Sequence, residues 1–152
     1  MNNEVNDLAK LTIRTEEDPV LRQKAKEITT ISRRIRNLAK DMLNSMYQAN
    51  GVGLAAPQVG ISERLVVIDI GEGPLILVNP EIVEKSGKDR DTEGCLSFPG
   101  RSEYITRAAK AKAVALDLKG RPISVEGSGL LARALQHEID HLDGVLFIDH
   151  LN

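Results

Sequence analysis

Two segments of the chain repeat their apolar residues at the spacing of an amphipathic helix. The first, residues 30–49, ends before Asn50-Gly51, and its apolar positions are Ile31, Ile35, Leu38, Met42, Leu43 and Met46. The second, residues 129–142, has apolar positions at Leu130, Leu131, Ala134, Leu135, Ile139 and Leu142. Residues three and four apart share one face of a helix. The pattern therefore predicts two helices, the second capped by Ser128 and ended by Gly144.

The segments between these helices contain short apolar runs, which are typical of buried strands. The predicted strands are residues 64–70, residues 74–80 with an extension through 85, residues 111–118 and residues 123–125. Residues 86–92, SGKDRDT, are predicted to form a polar loop, and Asp18-Pro19 begins a short turn of helix. Because the strands follow one another without alternating helices, we expect an α+β fold with antiparallel strands.

Composition narrows the classes of function. The net charge is −2, aromatic residues make up 3% and tryptophan is absent, which argues against binding to nucleic acid or to an anionic membrane. The single cysteine rules out an internal disulfide and fits a reducing compartment. The first ten residues lack the apolar core of a signal peptide, and no apolar run reaches the roughly 20 residues of a membrane span. We expect one cytoplasmic domain, residues 1–152, complete as given.

A glycine-rich stretch, GVGLAAPQVG at residues 51–60, fits the pattern G-x-G-x-x-[GA] of dinucleotide-binding loops. That fingerprint needs a strand before the glycines and a helix after them. Here a predicted helix comes before the glycines, and Pro57 follows where a helix would be running. Two other interpretations are a tight turn and a segment whose glycines let a ligand approach the backbone.

The strongest chemical signal is the pattern H-E-x-x-H at residues 137–141. His137 and His141 are four residues apart, so both imidazoles share one helical face and can bind one metal ion. Glu138 lies beside them, where it can take a proton from a metal-bound water. Only three histidines occur in the chain, which argues against two chance surface residues.

A tetrahedral site needs a third protein ligand. The third histidine of the related pattern H-E-x-x-H-x-x-G-x-x-H is replaced by Phe147, and the polar residues that follow are Asp143, Asp149 and His150. Cys95 is the better candidate, because a thiolate is a strong ligand for zinc or iron(II). The alternatives are that Cys95 is a small buried apolar residue or a catalytic nucleophile. The nucleophile would leave Glu138 and one histidine without a role.

Three segments together resemble the peptide deformylase family: GVGLAAPQ at 51–58, EGCLS at 93–97 and QHEIDH at 136–141. Residues 18–22 and 144–147 are also similar, so the resemblance covers nearly the whole chain. It implies an enzyme that removes the N-formyl group from N-formylmethionine at the start of newly made polypeptides. The fold that it implies is α+β, with antiparallel strands packed around a central helix that carries H-E-x-x-H.

The resemblance also implies the parts of a catalytic centre. Cys95, His137 and His141 would hold one divalent metal ion with a water in the fourth position; the family usually uses iron(II) and tolerates zinc, nickel or cobalt. The metal-bound water would attack the formyl carbon, with Glu138 as general base and then general acid. The Gln58 amide and the Leu96 backbone N–H would donate hydrogen bonds to the formyl oxygen.

A substrate cleft is implied as well. Gly51 and Gly53 would let the peptide come close to the backbone, and the methionine side chain would lie among Val52, Leu130, Arg133 and Ala134. The stem of Arg133 is expected to line this pocket while its charge reaches water; the alternative is that Arg133 is simply exposed.

The implied partners are an N-formylmethionyl peptide and the nascent chain at the ribosome. Many members continue into a basic C-terminal helix that docks on the ribosome, and a sequence ending at Asn152 lacks it. Two rival functions share the same ligands: a metallopeptidase or amidase for another substrate, and a metal-binding module without catalysis.

Overall fold

The computed structural model describes residues 10–151 of the chain. This range contains two α-helices, seven β-strands and three short 3-10 helices. The expected absence of a signal peptide concerns residues 1–9, which lie outside this range. In chain order the elements are α1 (Arg33–Gln48), β1 (Gly53–Ala55), β2 (Leu65–Ile68), β3 (Leu75–Ser86), β4 (Asp89–Gly94), β5 (Ser102–Arg107), β6 (Lys110–Leu116), β7 (Pro122–Ser128) and α2 (Gly129–Leu142). The 3-10 helices are Pro19–Arg22, Ala56–Val59 and Phe147–His150.

The predicted first helix is confirmed as α1. Its N-cap residue is Ser32, whose side chain accepts a hydrogen bond from the backbone N–H of Ile35. Its inward face is fully buried and consists of Ile35, Ala39, Met42 and Met46. After α1, Asn50 has a φ of 57°, so the chain turns away from the helix there, as the Asn-Gly pair predicts.

Five of the strands form one antiparallel sheet in the order β1-β2-β3-β6-β7. β3 continues through Ser86, which confirms the predicted extension of that strand. β7 runs from Pro122 to Ser128 and is longer than the predicted 123–125; its proline is the first residue of an edge strand, where a missing N–H costs least.

The two helices cover opposite faces of this sheet. Alternate residues of β2 point to the two sides: Leu65 and Val67 pack in the α1 cluster, and Val66 and Ile68 pack in the α2 cluster. This alternation is the period of two that a strand buried on both faces requires. The core therefore has two layers, and the sheet separates them.

The predicted polar loop at residues 86–92 is wrong. Residues from Asp89 onward form β4, which pairs with β5 in a separate two-stranded antiparallel sheet. The sequence hides this hairpin because its inward-facing side chains include charged residues. Glu93 on β4 and Arg107 on β5 are both buried.

The second helix, α2, has the predicted bounds of 129–142. Ser128 is its N-cap residue, as predicted, although the side chain makes no capping hydrogen bond. Ten of its fourteen residues are buried, and the helix packs against every strand of the five-stranded sheet. None of the helices in the described part of the chain is long and apolar enough to cross a membrane.

Candidate metal centre

Three predicted ligands converge at one end of α2. The sulfur of Cys95 and one ring nitrogen each of His137 and His141 lie within 4.8 Å of one another. Cys95 Sγ is 3.4 Å from His141 Nε2, and the two imidazole centroids are 5.0 Å apart. Within residues 10–151 this is the only group of three or more such side chains that close together.

Different elements deliver the three side chains. The helical repeat of α2 places His137 and His141 on one face, and both are buried. Cys95 is the first residue after β4, and the turn there is closed by a hydrogen bond from the Phe98 N–H to the Cys95 carbonyl. Phe98 itself is buried against Phe147, with ring centroids 5.2 Å apart. The hairpin and this aromatic contact therefore fix the backbone that carries the thiol.

Glu93 is a site residue to which the sequence analysis assigned no role. Its Oε2 lies 2.5 Å from His137 Nδ1, so the other ring nitrogen, Nε2, is the one available to a metal ion. Arg107 donates to both carboxylate oxygens of Glu93, at 2.8 and 2.7 Å. Burial alone would raise the pKa of Glu93, but the hydrogen bonds from Arg107 and His137 outweigh it and hold this pKa well below the ordinary range. Glu93 is thus a buried anion that orients one imidazole.

The surroundings of the two histidines favour a cation between them. Burial would lower the pKa of His137, yet the charge of Glu138 and the hydrogen bonds with Cys95 and Glu93 raise it to about 10. Burial and the charge of His137 keep the pKa of His141 well below its ordinary value, so that imidazole is neutral and free to act as a ligand. One sulfur and two nitrogens are also a donor set that suits zinc or iron(II). The residues therefore fit a bound divalent ion.

Glu138 lies next to this group, and its side chain is only 6% exposed. Its Oε2 is 4.0 Å from His137 Nε2, and its Oε1 is buried without a hydrogen-bond partner. Burial is the main cause that raises the pKa of Glu138 to about 7. A carboxyl group with a pKa near neutrality and an unsatisfied oxygen is suited to accept and return a proton.

Gln58 is held in one orientation beside the thiol. Its Oε1 accepts a hydrogen bond from the Ala55 N–H at 2.9 Å. Its Nε2 donates to Ser97 Oγ at 3.1 Å and to Cys95 Sγ at 3.5 Å. The amide N–H₂ therefore faces the metal-ligand group, which is the side where an oxyanion donor is expected.

A cavity of about 580 Å³ opens onto His137 and Glu138. All the predicted substrate residues line it, namely Gly51, Val52, Gly53, Leu130, Arg133 and Ala134, and so does Leu96. Val52 is 41% exposed and Leu130 is 51% exposed, so two apolar side chains flank the opening. Exposed apolar groups at the mouth of a cleft are typical of a site that binds an apolar side chain.

Gly51 and Gly53 have a structural reason besides the predicted approach of a ligand to the backbone. A Cβ on Gly53 would lie 2.5 Å from Glu138 Oε2, and one on Gly51 would lie 2.6 Å from Leu96 Cδ1. The chain is also not a tight turn here, since Gly53 begins β1, which pairs with β2. These glycines therefore make room for Glu138 and Leu96.

Arg133 lines the cavity as expected, but the expectation that its charge reaches water is wrong. Its side chain is 7% exposed, so its charge does not reach water and the residue is not simply exposed either. The guanidinium instead donates to Glu93 Oε1 and to the carbonyl oxygens of Ile105 and Asp89. A buried carboxylate and two backbone acceptors replace solvent as its partners.

The other polar residues weighed as a third ligand have partners elsewhere. Asp143 accepts from Arg64 at 3.0 Å, and Asp149 accepts from Arg22 at 2.6 Å. His150 is partly exposed and lies 2.9 Å from Asp140 Oδ2. Among the described residues, none of the three belongs to the group around Cys95.

Comparison with known proteins decides the family. The sequence model of the polypeptide deformylase family matches residues 10–152. The peptide deformylase of Desulfitobacterium hafniense is 58% identical over 130 residues, which cover 86% of this chain and 87% of that protein. The chain belongs to the polypeptide deformylase family. The peptide deformylase of Clostridium botulinum is 54% identical and covers 93% of the chain and 97% of its own length.

Solved structures of the family share the fold. The peptide deformylase of Thermotoga maritima superimposes with a TM-score of 0.92 at 43% identity, covering 95% of this chain and 99% of that one. The enzyme of Synechococcus elongatus, solved in complex with actinonin, gives 0.91 at 44% identity over 93% of this chain and 79% of that one. Peptide deformylases remove the formyl group from N-formylmethionine, so the predicted family and enzyme class are confirmed.

Proposed function

We propose that the deformylase reaction takes place where Cys95, His137 and His141 meet, with Glu138 as general base and then general acid. The observation that carries this proposal is the convergence of three donor atoms within 4.8 Å beside a buried carboxylate with an unpartnered oxygen. An unsatisfied buried acceptor costs stability, so its presence at this point calls for a functional reason.

The three side chains would hold one divalent ion, which we propose to be iron(II) in the cell. The mixed sulfur and nitrogen donors also suit zinc, nickel or cobalt, and zinc binds more tightly in the usual affinity order. When bound, such an ion lowers the pKa of a water towards neutrality and polarises a carbonyl group.

Glu138 would carry the proton through the reaction. Its pKa of about 7 means that the carboxylate is substantially ionised at neutral pH and still basic enough to take a proton. Gly53 leaves space for the carboxylate on the cavity side. After the formyl carbon is attacked, the same carboxyl group would give the proton to the leaving amine of methionine.

Gln58 and Leu96 would stabilise the negative charge that develops on the formyl oxygen. The Gln58 amide is fixed by Ala55 and Ser97, so its N–H₂ group is already oriented before substrate binds. The Leu96 N–H has no backbone acceptor among residues 10–151 and follows directly after Cys95. Preoriented donors of this kind typically contribute about 10²–10³ in rate each.

The substrate would enter along the cavity between residues 50–53 and 99–102. Val52, Leu130 and Ala134, together with the stem of Arg133, would surround the methionine side chain. Gly51 and Gly53 add no side chain to this wall. A formyl carbon bears only hydrogen, so the space beside Glu138 would exclude the methyl group of an acetylated substrate.

We propose that residues 1–152 act as one catalytic domain in the cytoplasm, on the N-formylmethionyl end of nascent chains. We also propose that α2 is the centre around which the strands pack. The contacts of α2 with each strand of the five-stranded sheet support this view.

Release of free amine from formyl-Met-Ala and from acetyl-Met-Ala tests the proposal against a general amidase. We expect the formylated dipeptide to be hydrolysed about 10- to 100-fold faster, because one added group in a tight site costs up to about two orders of magnitude. Equal rates would defeat the proposed specificity. The absence of any turnover by the metal-loaded protein would favour a binding module.

A further inference from the structure

The β4–β5 hairpin shares no strand pairing with the five-stranded sheet, yet it has to deliver Cys95 to two histidines on α2. Its position against α2 therefore depends on side chains. Buried charges make up much of this contact: Arg133 of α2 and the hairpin residues Glu93 and Arg107 are each at most 6% exposed.

One of these charges, Arg133, joins the helix to both strands of the hairpin. Its Nη1 donates to Glu93 Oε1 at 2.9 Å and to the Ile105 carbonyl at 2.9 Å, and its Nη2 donates to the Asp89 carbonyl at 2.8 Å. Asp89 and Glu93 belong to β4, and Ile105 belongs to β5. A planar guanidinium can satisfy several acceptors at fixed angles, so it sets a distance and an orientation together.

Glu93 connects Arg133 to the ligands in two ways. Its second oxygen lies 2.5 Å from His137 Nδ1, and Cys95 follows two residues later in the chain. A shift of Glu93 would therefore move one imidazole and the thiol together. Removing an outer partner of a metal-ligating histidine typically weakens metal binding about 10- to 100-fold.

We propose that Arg133 is a positioning residue, which fixes the thiol of Cys95 relative to His137 and His141 by docking the hairpin on α2. This inference rests on the proposed metal ligands. Two simpler roles compete with it: Arg133 adds only to global stability, or its stem serves only as a wall of the substrate cavity. Neither of those roles changes the metal site of a folded protein.

The test uses the full chain, freed of metal and reloaded with cobalt(II), whose thiolate-to-metal absorption reports the Cys95 bond directly. In Arg133→Met we expect cobalt affinity to fall about 10- to 100-fold and the absorption band to weaken or shift. Amide hydrogen exchange across residues 89–107 should become faster, because the hairpin loses the three hydrogen bonds from Arg133 that help to hold it on α2. Arg133→Gln, which is too short to span both strands, should behave in the same way and replaces the Met variant if that one does not fold.

The matched control is Arg90→Met, which removes an exposed arginine from the same hairpin, where it lies 4.8 Å over the Tyr104 ring. This variant should keep the cobalt affinity of the wild type. A folded Arg133 variant with wild-type cobalt affinity and an unchanged absorption band would overturn the proposal, even if its Tm were lowered. An equal loss of cobalt affinity in Arg90→Met would also overturn it. No deformylase assay enters the test. A wild type that binds cobalt through Cys95 but hydrolyses no formyl peptide would defeat the proposed function alone.

Discussion

At the scale of single residues, the site combines groups that can be predicted from the sequence and groups that cannot. His137, Glu138 and His141 are visible because helical spacing alone places two imidazoles together. Glu93 is not visible, because its partners Arg107 and His137 lie 14 and 44 residues away. The only feature of the sequence that could have indicated a role for Glu93 is its position two residues before Cys95. A buried ion pair depends on the tertiary fold, and periodicity carries no information about it.

The first prediction at this scale concerns the proposed base. Glu138→Gln keeps the shape of the side chain but removes the proton acceptor, so deformylation per bound metal should fall by about 10²–10⁴. Metal content should stay near one ion per chain, because Glu138 is not among the ligands. Glu126→Gln, on the partly exposed strand β7, is the control and should be fully active. Activity within a few-fold of the wild type in Glu138→Gln would assign the proton transfer to another group.

Cys95→Ala tests the ligand set itself. It leaves two imidazoles, too few for a stable site, so the purified variant should contain well under one metal ion per chain. Its far-UV circular dichroism should match that of the wild type, since Cys95 lies outside the regular elements. Stoichiometric metal in this variant would remove the thiol from the site, and the roles of both histidines would then have to be assigned again.

Gly53→Ala tests the finding that this glycine makes room for the base. The added Cβ would lie 2.5 Å from Glu138 Oε2, so the carboxylate has to move. We expect kcat to fall by about tenfold or more, since small displacements of catalytic groups have effects of that size, while metal content is unchanged. In Gly94→Ala the nearest atom lies 3.6 Å away, and we expect at most a few-fold loss. Equal activities of the two variants would contradict this explanation of the glycine.

At the scale of elements, the accuracy of the sequence predictions follows the strength of the apolar pattern. Both helices were predicted from the helical spacing of their apolar residues, and four strands of the five-stranded sheet, β2, β3, β6 and β7, were predicted from short apolar runs. β4 and β5 were missed because charged residues face inward there, and β1 was missed because only three residues pair, beginning at a glycine. The ends of α2 match the prediction, whereas α1 begins at Arg33, three residues after the predicted start.

The two serines make a matched test of capping. Ser32 accepts a hydrogen bond from the Ile35 N–H, whereas Ser128 occupies the same position before α2 without such a bond. Ser32→Ala should therefore lower the free energy of unfolding by about 0.5–2 kcal/mol, and Ser128→Ala should change it much less. Urea unfolding of the metal-loaded proteins gives both values. A larger loss for Ser128→Ala would reverse the assignment of the two caps.

At the scale of the whole molecule, residues 22–25 near the start of the described chain contact residues 142–149 near its end. The Ala25 N–H donates to the Leu142 carbonyl at the end of α2, and Arg22 forms a two-pronged ion pair with Asp149, at 2.6 and 3.1 Å. Leu21 and Phe147, which lie next to these contacts, are buried in the cluster that also contains Phe98. These contacts therefore hold the segment before α1 and the segment after α2 against the last turn of α2, the helix that bears both histidines.

The ion pair between Arg22 and Asp149 makes the stability of these contacts depend on pH, and its contribution is lost in acid. The hydrogen bond from Arg22 is the main cause that lowers the pKa of Asp149 in the folded protein. A lowered folded pKa stabilises the protein above the ordinary carboxyl value of about 4, and this contribution disappears as the pH falls through the lower folded value. Asp149→Asn should therefore cost about 0.5–1 kcal/mol of unfolding free energy at pH 7. The difference from wild type should shrink towards zero in acid and in 1 M salt. Urea unfolding at several pH values measures it, and a difference that grows in acid would show that Asp149 acts through something other than its charge.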